Sequence, residues 1–214
     1  MITCIVGEKG GTGKTTVATG LAAMLAANGH DTLMVDADTQ LTTTKWQALR
    51  SENPDLAQLA CISLFGKTLA KEVRSLAPRY QRIIIDTGGR DTVEMRSALT
   101  VCDFAVLPFQ PSQFDLWTVD TMYTMLEQAS VVNPGMKVLA VISQCETNLT
   151  TTDYLKAQEF IREFPGMTMS TSPIRKRIAF KRAGQLGMNV IEYERNPLAK
   201  ATQELRQLYR DIFE

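Results

Sequence analysis

Apolar and polar positions alternate along this chain in two kinds of pattern. Short, continuous apolar runs, typical of strands buried on both faces, are separated by stretches in which apolar residues recur at helical spacing. The clearest runs are residues 2–6, 82–86 and 104–108. Because strands that alternate with helices form parallel sheets, the pattern predicts an α/β fold. We expect a single domain over residues 1–214, with a mostly parallel twisted sheet and helices on both faces.

The remaining elements follow from the same patterns. Further strands are predicted at residues 32–35, 60–64, 137–143 and 167–171. Helices are predicted at residues 17–28, 41–51, 69–76, 93–100, 114–129, 152–163 and 197–213, with a basic helix or helical turn at 174–183. Short right-handed crossovers would bring the loops after residues 6, 35 and 85 to one edge of the sheet. This edge is where a binding site is expected.

A glycine-rich loop, residues 7–16, lies between the first strand and the first helix. Its glycines allow successive N–H groups to point inward at phosphate oxygens, and the following helix adds its positive end. The strict spacing G-x-x-x-x-G-K-[ST] is not met, because Glu8 stands where the first glycine belongs. The strand–loop–helix context nevertheless predicts nucleotide binding.

Two lysines and one threonine supply the chemistry of this loop. Lys14 can reach the β- and γ-phosphates, and the Thr15 hydroxyl can ligate Mg²⁺. Lys9 is a surplus cation for a monomeric site. Its early position suggests that it projects away from its own nucleotide toward another subunit.

Three carboxylates are predicted at the ends of strands beside the loop: Asp36, Asp38 and Asp86. Mg²⁺ prefers oxygen ligands, so Thr15 and Asp86 are the candidate metal residues. Asp38 is better placed to orient an attacking water. Asp36 could equally be structural, bonding the phosphate-loop lysines or the backbone.

Composition narrows the class of protein. The formal net charge is zero, so contact with nucleic acid would need a local basic patch. Cys4, Cys61, Cys102 and Cys145 are scattered and are interpreted as buried small residues in a reducing cytosol. His30 follows a helix-ending turn, which indicates a surface position. No signal peptide is expected from the first residues, and the uncharged helical run at 17–28 is too short to span a bilayer.

Several motifs together resemble the ParA/MinD superfamily of P-loop ATPases. Residues 9–16, KGGTGKTT, resemble the deviant Walker A box of that family. Residues 35–40 resemble its second motif, with Thr39 in place of the usual proline, and residues 83–88 resemble its Walker B strand. Residues 187–193 are similar to the segment that flanks the adenine. The short chain most resembles the small ParF-type partition ATPases.

The resemblance implies binding of ATP or ADP with Mg²⁺ and assigns roles residue by residue. Lys9 matches the signature lysine that crosses to the partner's phosphates, and Asp38 matches the aspartate needed for hydrolysis. Asp86 matches the metal-associated aspartate. The phosphate contacts fall on Gly10, Gly11, Thr12, Gly13, Lys14, Thr15 and Thr16.

The resemblance also implies a cellular role. ATP would drive a face-to-face homodimer that binds nucleoid DNA in the cytoplasm, and a ParB-type centromere-binding partner would stimulate hydrolysis. A positioner of another cargo, such as carboxysomes or chemoreceptors, shares the same motifs. A membrane-associated division regulator, an iron–sulfur reductase and a non-catalytic nucleotide switch are further alternatives.

Two C-terminal segments bear on these alternatives. Cations are concentrated in one short stretch, which is a solvated surface or a non-specific site for duplex DNA. Its members are Arg175, Lys176, Arg177, Lys181 and Arg182. The helix at 197–213 carries an apolar stripe that includes Leu198, but its charges are balanced. An interfacial helix has excess Lys and Arg, so we expect a docked core helix without a stable membrane anchor.

Overall fold

The computed structural model of the protein describes residues 1–111, 113–147 and 151–214, and it describes the side chains of these residues except at 113–117, 151 and 153. Within this part of the chain, strands and helices alternate as far as the helix that ends at Arg162; two strands and then three helices follow. The described residues contain the loops after residues 6, 35 and 85, where the sequence predicts a site.

Eight strands form the sheet in the described residues, and every paired strand runs parallel to its neighbour. The strands are β1 (Ile2–Ile5), β2 (Thr32–Ala37), β3 (Ala60–Ser63), β4 (Arg82–Thr87), β5 (Phe104–Phe109), β6 (Lys137–Cys145), β7 (Met167–Met169) and β8 (Ile174–Arg175). Their order is β3-β2-β4-β1-β5-β6-β7, and β8 pairs with the end of β6. The central position of β1 places its following loop at the middle of the carboxyl edge.

The helices complete the element list. They are α1 (Lys14–Ala27), α2 (Thr42–Ser51), α3 (Leu69–Leu76), α4 (Val93–Leu99), α5 (Gln113–Val132), α6 (Thr151–Arg162), α7 (Ile178–Gly184), α8 (Val190–Glu194) and α9 (Lys200–Phe213). A single 3-10 turn, Ala77–Arg79, follows α3.

Two hydrophobic cores lie on opposite faces of the sheet. Alternate strand residues point to opposite sides, so Ile83 and Ile85 pack into one core and Ile84 into the other. Helices α3, α4, α5 and α6 cover the first face, and α1, α2, α7, α8 and α9 cover the second. The predicted α/β class, with a parallel sheet between two helical layers, is confirmed.

Most predicted elements are present, with ends that differ by a few residues. The prediction of one basic helix or turn at 174–183 was wrong: residues 174–175 form β8, and the helix begins only at Ile178. The cause is non-local, because the strand forms by pairing with β6. The C-terminal helix begins at Lys200, and Leu198 before it is 77% exposed, so Leu198 does not belong to the buried stripe.

Candidate nucleotide-binding site

The phosphate loop is shaped by its glycines. Gly11 and Gly13 adopt φ values of 78° and 90°, which side chains with a Cβ rarely adopt. A Cβ on Gly13 would also lie 2.7 Å from the Ser143 hydroxyl oxygen. Helix α1 begins at Lys14 with no acidic residue in its first turn, so its N-terminal N–H groups and positive end remain available to an anion.

Lys14 lies inside this loop. Its ammonium donates a 2.9 Å hydrogen bond to the Lys9 carbonyl oxygen, and the residue is only 7% exposed. Burial lowers the pKa of Lys14, whereas the nearby carboxylates of Asp86 and Asp38 oppose that change. The side chain thus points to where phosphate charge would be bound. Lys9, in contrast, is exposed.

Asp86 is the penultimate residue of β4, in contact with Thr15 of the loop. Its Oδ2 atom accepts hydrogen bonds from the hydroxyls of Thr15, at 2.8 Å, and Thr43, at 2.6 Å. The other oxygen, Oδ1, is buried and accepts no hydrogen bond from the described residues. Burial raises the pKa of Asp86 to about 6, and the two threonine hydroxyls and Lys14 limit the rise.

These residues fit a divalent cation. A buried carboxylate oxygen without a partner is costly, and a hard cation or its bound water would satisfy it. Asp86 Oδ1 is such an atom, and the Thr15 hydroxyl lies beside the same carboxylate. Among the described residues no group of three or more His, Cys, Asp or Glu side chains forms a metal cluster. Thr15 and Asp86 are the residues that would hold such a cation.

Asp36 and Asp38 have different surroundings. Asp36 is fully buried, and its Oδ2 accepts from the backbone N–H and the hydroxyl of Thr44, both at 2.8 Å. Its Oδ1 accepts from the Asp38 N–H at 3.2 Å, so Asp36 holds the backbone of this loop. Asp38 is half-buried and lines the phosphate cavity of about 440 Å³, together with Gln40 and Thr42.

The glycines after β4 bring its loop close to the phosphate loop. A Cβ on Gly89 would lie 3.0 Å from Lys14 Nζ, and one on Gly88 would contact the Asp38 carboxyl group at 3.6 Å. Arg90 is exposed beside a second polar cavity of about 320 Å³ that Asp38 also lines. Arg90 and Asp38 thus line the same cavity.

Sequence reasoning missed three residues at this edge. Thr43 contacts the metal carboxylate, yet within a run of three threonines no local signal singles it out. Gln144 adopts a left-handed φ of 54° at an irregularity in β6 and lies against Gly13. Trp46 lies in the helix predicted at 41–51, and nothing in the local sequence marks it as a site residue.

Trp46 lines a mainly apolar pocket of about 380 Å³ next to the phosphate loop. One wall is Thr16 and Thr19 of α1, and the opposite wall includes Phe180 and Met188. Residues 187–193, expected to flank an adenine, form the end of this pocket through Met188, Asn189 and Val190. We call this space the apolar pocket.

The predicted basic stretch is divided by the fold. Arg175 and Arg177 both bind the nearly buried carboxylate of Glu204, at 3.1 and 2.7 Å, whereas Lys176, Lys181 and Arg182 are exposed. A polar concavity of about 830 Å³, here called the basic bowl, adds cations from α9. Its charged lining is Arg175, Arg177, Lys200, Glu204, Arg206 and Arg210.

The stripe of α9 is docked, as the sequence predicted. Ala201, Leu205, Leu208 and Ile212 are each at most 7% exposed and pack into the second core. Within the described part of the chain, no helix is long and apolar enough to cross a bilayer.

Residues 3–190 match the family model described as the CobQ/CobB/MinD/ParA nucleotide binding domain. The match covers most of the chain, and the protein therefore belongs to this family. ATPases of the ParA and MinD type bind ATP or ADP with Mg²⁺, and this chain is an ATPase of that type.

Individual relatives include both positioning and partition proteins. The chain is 27% identical over 205 residues to the maintenance of carboxysome distribution protein A of Halothiobacillus neapolitanus, covering 95% of this chain and 92% of the relative. It is 27% identical over 179 residues to the chromosome partitioning protein ParA of Myxococcus xanthus, covering 66% and 63%.

Solved structures share the fold. Apo McdA from Cyanothece superposes with a TM-score of 0.77 at 15% identity, covering 96% of this chain and 98% of the other. MinD from Pyrococcus horikoshii, complexed with Mg-ADP, gives a TM-score of 0.74 at 20% identity, covering 100% and 96%. The match of residues 3–190 to the family model confirms the resemblance that the sequence motifs indicated.

Proposed function

We propose that this chain is a partition-type ATPase that segregates DNA. Mg²⁺ and ATP drive a sandwich dimer that binds duplex DNA without sequence preference, and a ParB-type centromere-binding partner stimulates the hydrolysis that releases it. The chain works as one domain over residues 1–214, in the cytoplasm and on the nucleoid. The observation that carries the proposal is the meeting of Lys14, Asp38 and the Thr15–Asp86 pair at one sheet edge.

The site residues act by positioning and by neutralising charge. Lys14 exchanges its bond to the Lys9 carbonyl for bonds to phosphate oxygens, and the loop N–H groups bind the same oxygens. Thr15 and Asp86 hold Mg²⁺, which when bound neutralises the charge of the β- and γ-phosphates. Asp38 orients the attacking water. Gly88 and Gly89 leave room for these groups to approach one another.

The apolar pocket suits the purine base. Trp46 and Phe180 offer aromatic surface, and the pocket opens onto Thr16 at the start of α1. A base bound there would leave its phosphates on the loop. Trp46 fluorescence should therefore change when ATP or ADP is added.

Dimerisation follows from the position of Lys9. This lysine is exposed while Lys14 already serves the loop from inside, so a second ammonium is best used on the phosphates of a second copy. Contacts with the γ-phosphate exist only before hydrolysis, which makes the dimer depend on ATP.

The proposed DNA surface comprises the exposed Lys176, Lys181 and Arg182 of the predicted basic stretch together with the basic bowl. Glu204 neutralises part of the charge of Arg175 and Arg177, but Lys200, Arg206 and Arg210 add three further cations on α9. Phosphate contacts release counterions, so affinity should fall with salt at a log–log slope of roughly −0.9 per phosphate.

Positioning of another cargo is the second candidate function. It is favoured by the likeness to the carboxysome distribution protein, which extends over 95% of this chain. Both functions use the same dimer and differ in the partner that stimulates hydrolysis.

The proposal is tested by light scattering and DNA gel shifts on the purified chain with ATP, ADP or no nucleotide. We expect a dimer and a DNA shift only with ATP. Lys9→Ala should remain monomeric, while Lys71→Ala, at an exposed lysine of α3, should behave as the wild type. Lys200→Ala combined with Arg206→Ala should dimerise but lose the shift.

Two results would contradict the proposal. A chain that stays monomeric with ATP and Mg²⁺ would exclude the sandwich dimer. DNA binding that is equal with ATP and ADP, and unchanged in the α9 double variant, would exclude the basic bowl as a switchable DNA site.

A further inference from the structure

The first turn of α2 connects two carboxylates that lie side by side in the sheet. Asp36 of β2 and Asp86 of β4 are register partners, and both are essentially buried. Neighbouring threonines bind one each: Thr44 donates to Asp36, and Thr43 donates to Asp86. A single helical turn is therefore fixed to the ends of two strands that carry the site.

The contact of Thr43 is short and fully buried. Its hydroxyl donates to Asp86 Oδ2 at 2.6 Å, and the residue has no exposed surface. Hydrogen bonds from a hydroxyl to a carboxylate at this distance are charge-assisted and stronger than those between neutral groups. Thr43 thus contributes to the orientation of the Asp86 carboxylate and does not merely fill space.

The two carboxylate oxygens of Asp86 differ in their hydrogen bonding. Thr15 and Thr43 both donate to Oδ2, whereas Oδ1 is buried without a donor among the described residues. Rotation of the carboxyl group would exchange these oxygens, and two donors on one oxygen resist that rotation more than one donor does. The pair of threonines consequently determines which oxygen is left without a donor.

We propose that Thr43 is a positioning residue for the divalent cation, holding Asp86 so that Oδ1 faces the metal. This inference rests on the proposed Mg²⁺ and nucleotide site. Thr15 donates to the same oxygen of Asp86, and Thr43 supplies a second donor from a different element, α2. Since Thr43 follows the Asp38 loop by a few residues, it also ties the metal carboxylate to the hydrolytic loop.

The test is calorimetric titration of the full chain with ADP, in EDTA and in Mg²⁺. Thr43→Val keeps the shape of the side chain and removes the donor, Thr43→Ala removes it without adding a misplaced methyl group, and Thr43→Ser keeps the hydroxyl. Thr202→Val is the matched control, because Thr202 is also buried and donates to a carboxylate, Glu194, at 2.9 Å.

We expect Thr43→Val and Thr43→Ala to bind ADP in EDTA within about twofold of the wild type. The gain in affinity on adding Mg²⁺ should fall roughly tenfold, as is typical when a partner that orients a metal ligand is removed. Thr43→Ser should recover most of that gain, and Thr202→Val should retain all of it.

Three outcomes separate the possibilities. An Mg²⁺ gain that is normal in Thr43→Val or Thr43→Ala would overturn the inference. An equal loss of ADP affinity in EDTA and in Mg²⁺ would overturn it too, because it would indicate general damage to the loop. A wild-type chain that binds no ADP would instead overturn the proposed function.

Discussion

The ammonium group of Lys14 donates a hydrogen bond to the backbone carbonyl of Lys9, so the two lysines of the phosphate loop are joined at 2.9 Å. The Thr12 hydroxyl donates to the same carbonyl at 3.4 Å. These two bonds fold the loop around the Lys14 ammonium, the proposed phosphate ligand. We expect bound nucleotide to replace the bond from Lys14 to the Lys9 carbonyl by contacts between the Lys14 ammonium and phosphate oxygens, in which both groups are charged.

Removal of the Lys14 ammonium should weaken nucleotide binding far more than folding. Lys14→Ala is expected to lower ATP affinity by roughly 10- to 100-fold, the range for loss of a charged hydrogen-bonding partner. Because burial already disfavours the Lys14 cation, the free energy of unfolding should change little. Calorimetric titration checks the affinity, with Lys71→Ala as the control. Equal affinities for ATP would contradict the assignment.

Loss of the Asp38 carboxylate should separate hydrolysis from binding. Asp38 lines the phosphate cavity, and a residue that orients the attacking water contributes about 10²- to 10⁴-fold. Asp38→Ala should lower the ATPase rate by at least roughly 100-fold while ATP still drives dimerisation. Phosphate release measures the rate, and the exposed Asp55→Ala is the control. A variant that hydrolyses ATP normally would remove Asp38 from the mechanism.

Asp86 should make the ligand-free protein less stable as pH rises. Burial raises its pKa from 3.8 to about 6, so between these values the native state holds more protons than the unfolded chain. The free energy of unfolding therefore falls through this window, by on the order of 3 kcal/mol, and the loss is complete above about pH 6.

The side chain in Asp86→Asn is neutral at every pH, so the free energy of unfolding of this variant should not show that fall. At pH 7.5, in EDTA and without nucleotide, we expect it to unfold at a higher temperature than the wild type. Near pH 4 the two should converge. Thermal unfolding followed by circular dichroism across this range measures the difference. Parallel profiles for the two proteins would be inconsistent with the raised pKa.

Gly187 should tolerate no side chain. It has a φ of 66°, and a Cβ there would collide with the backbone N of Arg50 and lie 2.7 Å from its Cα. Gly187→Ala should cost about 2–4 kcal/mol, from left-handed strain plus overpacking. Gly29 has a φ of 82° but open space, so Gly29→Ala should cost only about 1 kcal/mol. Urea unfolding compares them, and similar costs would refute the steric argument.

The local pattern of apolar and polar residues was sufficient to predict the class of fold and the phosphate loop. Continuous apolar runs such as β4 are buried on both faces, because a parallel sheet between helices has no solvent face. Strand–loop–helix succession also brought Lys14, Thr15 and Asp86 together, since carboxyl ends of adjacent parallel strands share an edge. The catalytic and DNA-binding roles of individual residues stay predictions.

The local pattern could not predict contacts between residues that are far apart in the sequence. Arg50 is fully buried and binds Glu192, which is far away in the sequence, at 2.6 Å. In the sequence alone, Arg50 is an ordinary charged residue near the end of a helix. Glu204 divides the basic stretch by binding Arg175 and Arg177. Both pairings depend on which helices pack together.

By itself, the sequence determined the elements, their parallel arrangement and the edge at which the site lies, because hydrophobic period and glycine spacing act between near neighbours along the chain. Only the tertiary structure decided that Thr43 would share Asp86 with Thr15, and that α9 would supply cations to the basic bowl. The physical reason is that a buried polar group must find a partner wherever packing brings one, and the chain encodes that choice in the whole fold and not in any single motif.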